Sequence, residues 1–304
     1  MAIRPGGAYV DATFGRGGHA REILDRLDSE GRLIALDRDP AARDAASAFA
    51  DPRFSFHHAW FSELPRVLDA RGMDAVDGVL FDLGVSSPQI DDPARGFSLR
   101  ADGPLDMRMD PSRGMSAAQW IAVATESQLR GVIADYGEER FAKQIARAIV
   151  AAREREPITR TRQLATIVAK SIGARRRGDW SQDPATRTFQ ALRIHINQEL
   201  EELSLGLERI LPRLNARGRI AVISFHSLED RTVKQFFMRH ARPFGADPKL
   251  ARLAIADADL PAPALKIIGR AIRPSALEIA NNPRARSAAL RVAERSATGA
   301  SRCA

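Results

Sequence analysis

Four short apolar runs, each followed by a helical stretch or a turn, fill the first 83 residues, and the next comparable run comes only about 130 residues later. Ala8 to Thr13 (AYVDAT), Arg32 to Asp37 (RLIALD), Arg53 to His58 (RFSFHH) and Val76 to Leu83 (VDGVLFDL) read as strands. The turn FGRGGH leads into a helix through Leu27, and Asp39 to Ala50 reads as a second helix. Strands alternating with helices at this spacing build a parallel sheet through right-handed crossovers. The fifth strand, Gly218 to Phe225 (GRIAVISF), lies too far along for a single crossover helix, so a separate body of chain is expected before it.

That insert opens with a polar segment punctuated by Gly and Pro, Ser86 to Gly114, and then turns helical. Ser116 can cap a helix through Val123, and Thr125 another ending near Tyr136 and Gly137. Glu138 to Arg155 spaces Phe141, Ile145, Ala148 and Ile149 along one face and stops before Pro157. Thr161 opens a helix to Ile172, which Gly173 ends, and RRRGDWSQDP reads as a basic loop. From Ala185 to about Leu214 one long amphipathic helix is expected, with Phe189, Leu192, Ile196, Leu200, Leu203 and Leu207 on its apolar stripe. A helix from Leu228 to His240, a Pro/Ala-rich loop and two late strands around Lys266–Ile272 and Ala288–Ala293 follow. The expected division is 1–89 as the first part of an α/β domain, 90–182 as an inserted all-helical domain, and 183–304 as the second part.

Composition narrows the function. At 304 residues and 44% hydrophobic content the chain can fill a core, and no run approaches the ~20 apolar residues of a membrane helix. MAIRPGGAYV has no signal-peptide apolar stretch, so the cytoplasm is the expected location. The single cysteine, Cys303, argues against a disulfide framework, a cysteine zinc site and a catalytic thiol. The net charge is +8, and only five of the 46 cations are lysine. Guanidinium forks grip phosphates bidentately, which makes nucleic acid a candidate partner. GC-rich codon usage explains Arg over Lys equally well, but explains the net charge less easily.

Gly15-Arg16-Gly17-Gly18 sits between a strand and a helix, where glycines admit close backbone approach by a ligand. Asp37 ends the second strand, where a carboxylate accepts hydrogen bonds from both hydroxyls of an adenosine ribose. Gly15-x-Gly17-x-x-Ala20 also satisfies the NAD fingerprint. Three features favour S-adenosylmethionine: Phe61 after the third strand, as a cover for adenine; Asp82 at the end of the fourth, where ligands bind; and a helical insert where a dehydrogenase has its second nucleotide-binding half. A tight turn with a solvated aspartate, and a Phe61 that is ordinary core, are the plainer alternatives.

In this order FGRGGH, ALDRDP, DLGVSSPQ, GPLDMRMDP, YGEERFAKQIARAI, PATRTFQALRI and SFHSLEDR resemble the ribosomal small-subunit RNA cytosine-N4 methyltransferase family, over nearly the whole chain and including the tail NPRARSAALRVAER. The resemblance implies a class I S-adenosylmethionine-dependent methyltransferase fold: α/β, Rossmann-like, five parallel strands ending in an antiparallel pair, with the helical insert. It implies S-adenosyl-L-methionine as cofactor, and methylation at N4 of a cytidine in the decoding centre (the P-site region) of 16S rRNA in the small ribosomal subunit. By motif position the cofactor contacts are Gly17, Gly18, His19, Asp37, Phe61, Asp82 and Gln89. The family usually carries a short segment with a histidine and a VLL-type run before the first strand, where this chain has MAIRPGG; that segment is expected to help close the cofactor site.

Methylation at C5 of cytosine needs a thiolate, and the only thiol lies in the tail. Exocyclic N4 needs only an acceptor for its N–H and in-line alignment. Asp82 or a nearby backbone carbonyl is the candidate, in DLGVSSP where many amino-methyltransferases have D/N-P-P-Y/F. In SFHSLEDR, His226 is a candidate for positioning substrate; helix capping by Ser227 with Asp230 is the competing reading, and a metal site is not expected. Arg100 and Arg108, with Arg95 and Arg113, lie in the insert's polar loop and are candidates for rRNA backbone contacts, as are Arg175, Arg176 and Arg177. Asp106 and Asp110 flank Arg108 and can order it by pairing. Arg187 and Arg193, beside Thr186, Thr188 and Asn197, either contact RNA or orient the insert. The target base must leave its stack, so a pocket is expected. An apolar insert face would suit a homodimer. A dehydrogenase and a ribosome-assembly factor with little turnover are the rival classes.

Overall fold

The computed structural model describes residues 1–172, 183–242 and 262–297. The basic run Arg175, Arg176, Arg177 and the lone Cys303 lie outside them. By its contacts the chain forms two compact units, Met1–Gly84 with Leu200–Ala304, and Val85–Glu199.

The first unit is built on a seven-stranded sheet in the order β3-β2-β1-β4-β5-β7-β6. Its strands are β1 (Ala8–Asp11), β2 (Arg32–Asp37), β3 (Phe54–His58), β4 (Val76–Asp82), β5 (Leu214–Ser224), β6 (Leu265–Ile267) and β7 (Ala289–Arg295). The first five run parallel, and β7 pairs antiparallel with both β5 and β6. This is the class I methyltransferase arrangement. A parallel sheet is buried on both faces, which is why its strands read as near-continuous apolar runs. Val10, Ile34, Val79, Phe81 and Ile220 belong to one core, and Tyr9, Leu33 and Ala35 to the other.

Helices α1 (Gly18–Leu24), α2 (Ala42–Ala46) and α3 (Leu64–Asp69) carry the early crossovers. The second is shorter than expected because the Asp39 side chain accepts from the Ala41 amide at 3.0 Å, which closes a turn before the helix can begin. Of the late strands, β6 stops at Ile267, and Ile272 makes an isolated bridge to Leu290.

The second unit holds α4 (Ser87–Asp91), α5 (Ala117–Val123), α6 (Glu126–Gly137), α7 (Ala142–Arg153), α8 (Thr161–Ile172) and α9 (Thr186–Ile196). Ser116 and Thr125 cap as expected, each exchanging hydrogen bonds with the glutamine three residues on. One core joins Trp120, Leu129, Ile145, Leu164, Phe189 and Leu192. Phe189 and Leu192 therefore bury with the insert, and the helical unit runs past the expected boundary at residue 182.

The single helix expected from Ala185 to Leu214 is two helices. It breaks at Asn197 and Gln198, the latter at φ 49°, and α10 (Glu199–Ile210) starts afresh. The cause is the Asn197 side chain, buried in the loop that contains DMRMD. Its Oδ1 accepts from the Met109 amide at 2.7 Å, and its Nδ2 donates to the Met107 carbonyl at 2.7 Å and the Arg193 carbonyl at 2.9 Å. Leu203, Leu207 and Ile210 of α10 then pack in the sheet unit.

The last helices are α11 (Ser227–Ala241) and α12 (Ala276–Asn281). Among the described residues no helix is long and apolar enough to cross a membrane. Asn197→Ala removes the side-chain hydrogen bonds to the Met109 amide and the Met107 carbonyl, and should destabilise the chain by about 3 kcal/mol, read as a lower urea midpoint. Arg100→Ala, at an exposed side chain, should change it by less than about 0.5 kcal/mol.

Candidate cofactor site

The strand order reverses between β1 and β4, and ligands of open α/β sheets bind in the crevice outside the carboxyl ends at such a point. Here β1, β2 and β4 end in Asp11, Asp37 and Asp82. Thr13 ties the first and last of these together. Its Oγ1 accepts from the Asp82 amide at 2.7 Å, and its own amide donates to Asp11 Oδ1 at 3.2 Å. Asp11 is fully buried and its Oδ2 has no hydrogen-bond partner; Asp82 Oδ1 is likewise buried without one.

His19 stands beside this cluster, with Nε2 at 3.4 Å from Asp82 Oδ2. Hydrogen bonding to Asp82 raises the imidazole above its ordinary value, against the opposing effect of burial. Burial pushes the Asp11 carboxyl up to about 7; Asp82 and Asp37 add to this, while the Thr13 amide and His19 oppose it.

The glycine turn shapes the rest. Gly17 caps α1 at φ 75°, and a Cβ there would fall 2.5 Å from Phe49 Cζ, so glycine is required on both counts. A Cβ at Gly18 would meet nothing within 4 Å, which leaves room for a ligand beside the backbone. Asp37 is held from both sides: Oδ2 accepts from the Gly15 amide at 2.7 Å and Oδ1 from the Asp39 amide at 2.8 Å. Each oxygen keeps a further lone pair, enough for two hydroxyls. Burial raises the Asp37 carboxyl above its usual range.

Phe61 is half-buried and packs edge-on to Phe81, with ring centroids 5.5 Å apart at 87°. Gly206 on α10 makes this placement possible, since a Cβ there would lie 2.6 Å from Phe61 Cδ2. Three residues on, Arg209 donates to the Ser62 carbonyl at 3.0 Å and fixes the same turn.

Orphaned acidic oxygens around an open glycine turn fit a cofactor that carries positive charge, as S-adenosylmethionine does in its sulfonium and ammonium groups. Asp11 and Asp82 would repel the pyrophosphate of a dinucleotide. Residues 1–296 match the MraW methylase family. The chain belongs to that family. A protein of Neisseria gonorrhoeae (strain NCCP11945) named Ribosomal RNA small subunit methyltransferase H is 58% identical over 299 residues, covering 98% of this chain and 92% of its own length. Proteins of the same name are 59% identical over 295 residues in Thiobacillus denitrificans (97% and 93% covered), and 57% identical over 297 residues in Ralstonia pickettii strain 12J (96% and 92%).

The structure thus brings Gly17, Gly18, His19, Asp37 and Asp82 to one sheet edge, with Phe61 following β3. Gln89 lies in the helical unit, where it is buried and its Oε1 accepts from the Ser86 amide at 2.8 Å. His226, not Ser227, caps α11: its Nδ1 accepts from the Glu229 amide at 3.4 Å, and its Nε2 lies 3.2 Å from Glu229 Oε1. The chain stays extended through His226, so Ser227 is already helical. Asp230 takes no part in a capping box; it is bonded bidentately by Arg291 of β7 at 2.8 and 2.9 Å.

Among the arginines, Arg108 is bidentate to Asp106 at 2.8 Å on each arm, as the flanking acids suggested. Arg193 is bidentate to Glu199, also at 2.8 Å. Arg187 donates to the Glu138 carbonyl at the end of α6, and Arg100 is exposed. Asp11 is the site residue that the sequence analysis did not single out. Its signal was a carboxylate closing an otherwise apolar strand three residues before FGRGG.

Gly206→Ala should displace Phe61 and weaken S-adenosylhomocysteine binding about tenfold by calorimetry, with little loss of thermal stability. Asp11 gives a pH prediction. Between about 4 and 7 the folded chain keeps a proton on Asp11 that the unfolded chain has released, so its stabilising contribution is lost as pH rises through that window. Asp11→Asn removes this dependence. Its Tm should gain on the wild type steadily from about pH 4 to pH 7; a constant difference would show that Asp11 titrates as an exposed carboxyl does.

Proposed function

We propose that this methylase transfers a methyl group from S-adenosylmethionine to the exocyclic N4 of a cytidine in the decoding centre of 16S rRNA. The observation that carries the reading is the cluster of Asp11, Asp37 and Asp82 around the open glycine turn, with orphan oxygens on Asp11 and Asp82. Relatives named as small-subunit rRNA methyltransferases support the RNA substrate. The absence of a cysteine outside the tail supports a nitrogen rather than the C5 carbon as target.

When bound, the cofactor supplies an electrophilic methyl group. Asp37 accepts from the ribose hydroxyls, and Phe61 offers its ring to the adenine. The Asp82 carboxylate would accept the N4–H of the cytosine and draw electron density onto the nitrogen; as the new N–C bond formed and the sulfur–methyl bond broke to leave S-adenosylhomocysteine, the proton would pass to this carboxylate. His19 lies 3.4 Å from Asp82 Oδ2 and is half exposed, at the mouth of the same cluster. Asp11 lies deeper and reinforces the negative potential once a cation draws its proton off. The chain's uncommitted surface arginines, Arg100 among them, contact the rRNA backbone.

The test is methyl transfer from labelled cofactor to small ribosomal subunits from a strain lacking the gene, with mass spectrometry of the digested nucleosides. N4-methylcytidine is expected. A different methylated nucleoside would overturn the target atom, and bound cofactor without transfer would favour an assembly factor. Asp82→Asn should lower turnover by about a hundredfold or more; normal turnover would remove Asp82 from the role of acceptor.

A further inference from the structure

A second cleft lies in the sheet unit, between α11 and the β6–β7 edge, on the far side of β5 from the switch point between β1 and β4. Its volume is about 140 Å³, and Met238, Ile268 and Val292 supply apolar wall. A cavity of this size admits one ring of the dimensions of benzene. Lys234, Arg270 and Arg291 also line it.

The charges are unequal in what they already do. Arg291 is committed to Asp230, and it holds that carboxyl well below the usual range, so the carboxylate next to the cleft is neutralised. Lys234 and Arg270 are exposed and make no ion pair among the described residues. The surrounding chain adds to the imbalance: residues 262–297 contain seven Lys and Arg against two Glu. An apolar slot sized for a ring, rimmed by two uncommitted cations on a strongly basic edge, matches an unpaired nucleotide. RNA is read chiefly where bases are splayed out of the helix and can be stacked or enclosed, and its phosphates are held by Lys and Arg.

We propose that this cleft is a second RNA contact which seats one unpaired nucleotide of the rRNA, with the base against Met238, Ile268 and Val292 and its phosphate on Lys234 and Arg270. The inference rests on the reading of the substrate as rRNA. It gives the enzyme a grip on its substrate at a point separate from the target cytidine, which sets register on the RNA without touching the reacting atoms.

The experiment uses the whole chain with S-adenosylhomocysteine bound and a labelled single-stranded RNA of the decoding region. Affinity is measured against salt for the wild type, for a double variant with Lys234→Ala and Arg270→Ala, and for Ala271→Trp, which fills the slot without changing charge. The double variant should weaken binding about tenfold and reduce the salt slope by about 1. Ala271→Trp should weaken it several-fold at an unchanged slope. Both should bind S-adenosylhomocysteine as the wild type does, which shows that they are folded, and both should raise KM for the small subunit more than they lower kcat. Wild-type affinity for Ala271→Trp would overturn the nucleotide slot and leave a phosphate-attracting surface. Wild-type affinity and KM for both variants, with methyl transfer to the subunit intact, would overturn the contact altogether. A wild-type chain that transfers no methyl group to rRNA would overturn the substrate reading itself, and the cleft's assignment with it.

Discussion

A single hydroxyl extends the tie between two strands at the functional edge of the sheet, past their last backbone pair. Thr13 accepts from the Asp82 amide at 2.7 Å, across 69 residues of sequence, just where β1 and β4 give up their pairing. It adds a side-chain tie just beyond the last backbone bond between the two strands, from the Ala12 amide to the Leu80 carbonyl at 2.9 Å. Burial raises the carboxyl of Asp11 to about 7, and the nearby Asp82 and Asp37 add to it. Concentrating acids, one of them fully buried, is unfavourable in the free protein. A partner that brings positive charge reverses the sign, and this is how the fold prefers a sulfonium cofactor over a dinucleotide.

The second constraint is reach. Phe61 follows β3, but its seat is cut by Gly206, far along the chain on α10, and the turn that carries it is bonded by Arg209. The helix that returns the chain from the insert to β5 therefore also shapes the proposed adenine cover. A methyl group in place of a hydrogen at one helical position is enough to disturb it. The break at Asn197 and Gln198 belongs to the same logic, since it lets α9 bury its apolar stripe in the helical unit while α10 buries its own against the sheet.

Much of this was legible in the residues. The four early strands, the glycine turn, Asp37, and the caps at Ser116 and Thr125 depend on periodicity and short-range hydrogen bonding, and these are written locally. What was not legible depended on distant neighbours. The apolar stripe from Phe189 to Leu207 has one helical period throughout, so nothing in it announced that Asn197 would turn aside to clamp the backbone of Met107 and Met109. Ser227 looked like a cap because it precedes acids at the right spacing; the extended backbone of His226 and the pull of Arg291 on Asp230 decided otherwise.

The sequence by itself determined the order of strands and helices, the presence of an insert, the position of the glycine turn and the family to which the chain belongs, because all of these follow from local pattern and from long matching motifs. Only the tertiary structure decided which charges are committed and which are free. It paired Arg108 with Asp106 and Arg193 with Glu199, left Lys234 and Arg270 without ion-pair partners among the described residues, and buried Asp11 beside two other acids. The physical reason is that an ionisable group takes its properties from the dielectric and the charges around it, and folding supplies those from elements far apart in the chain.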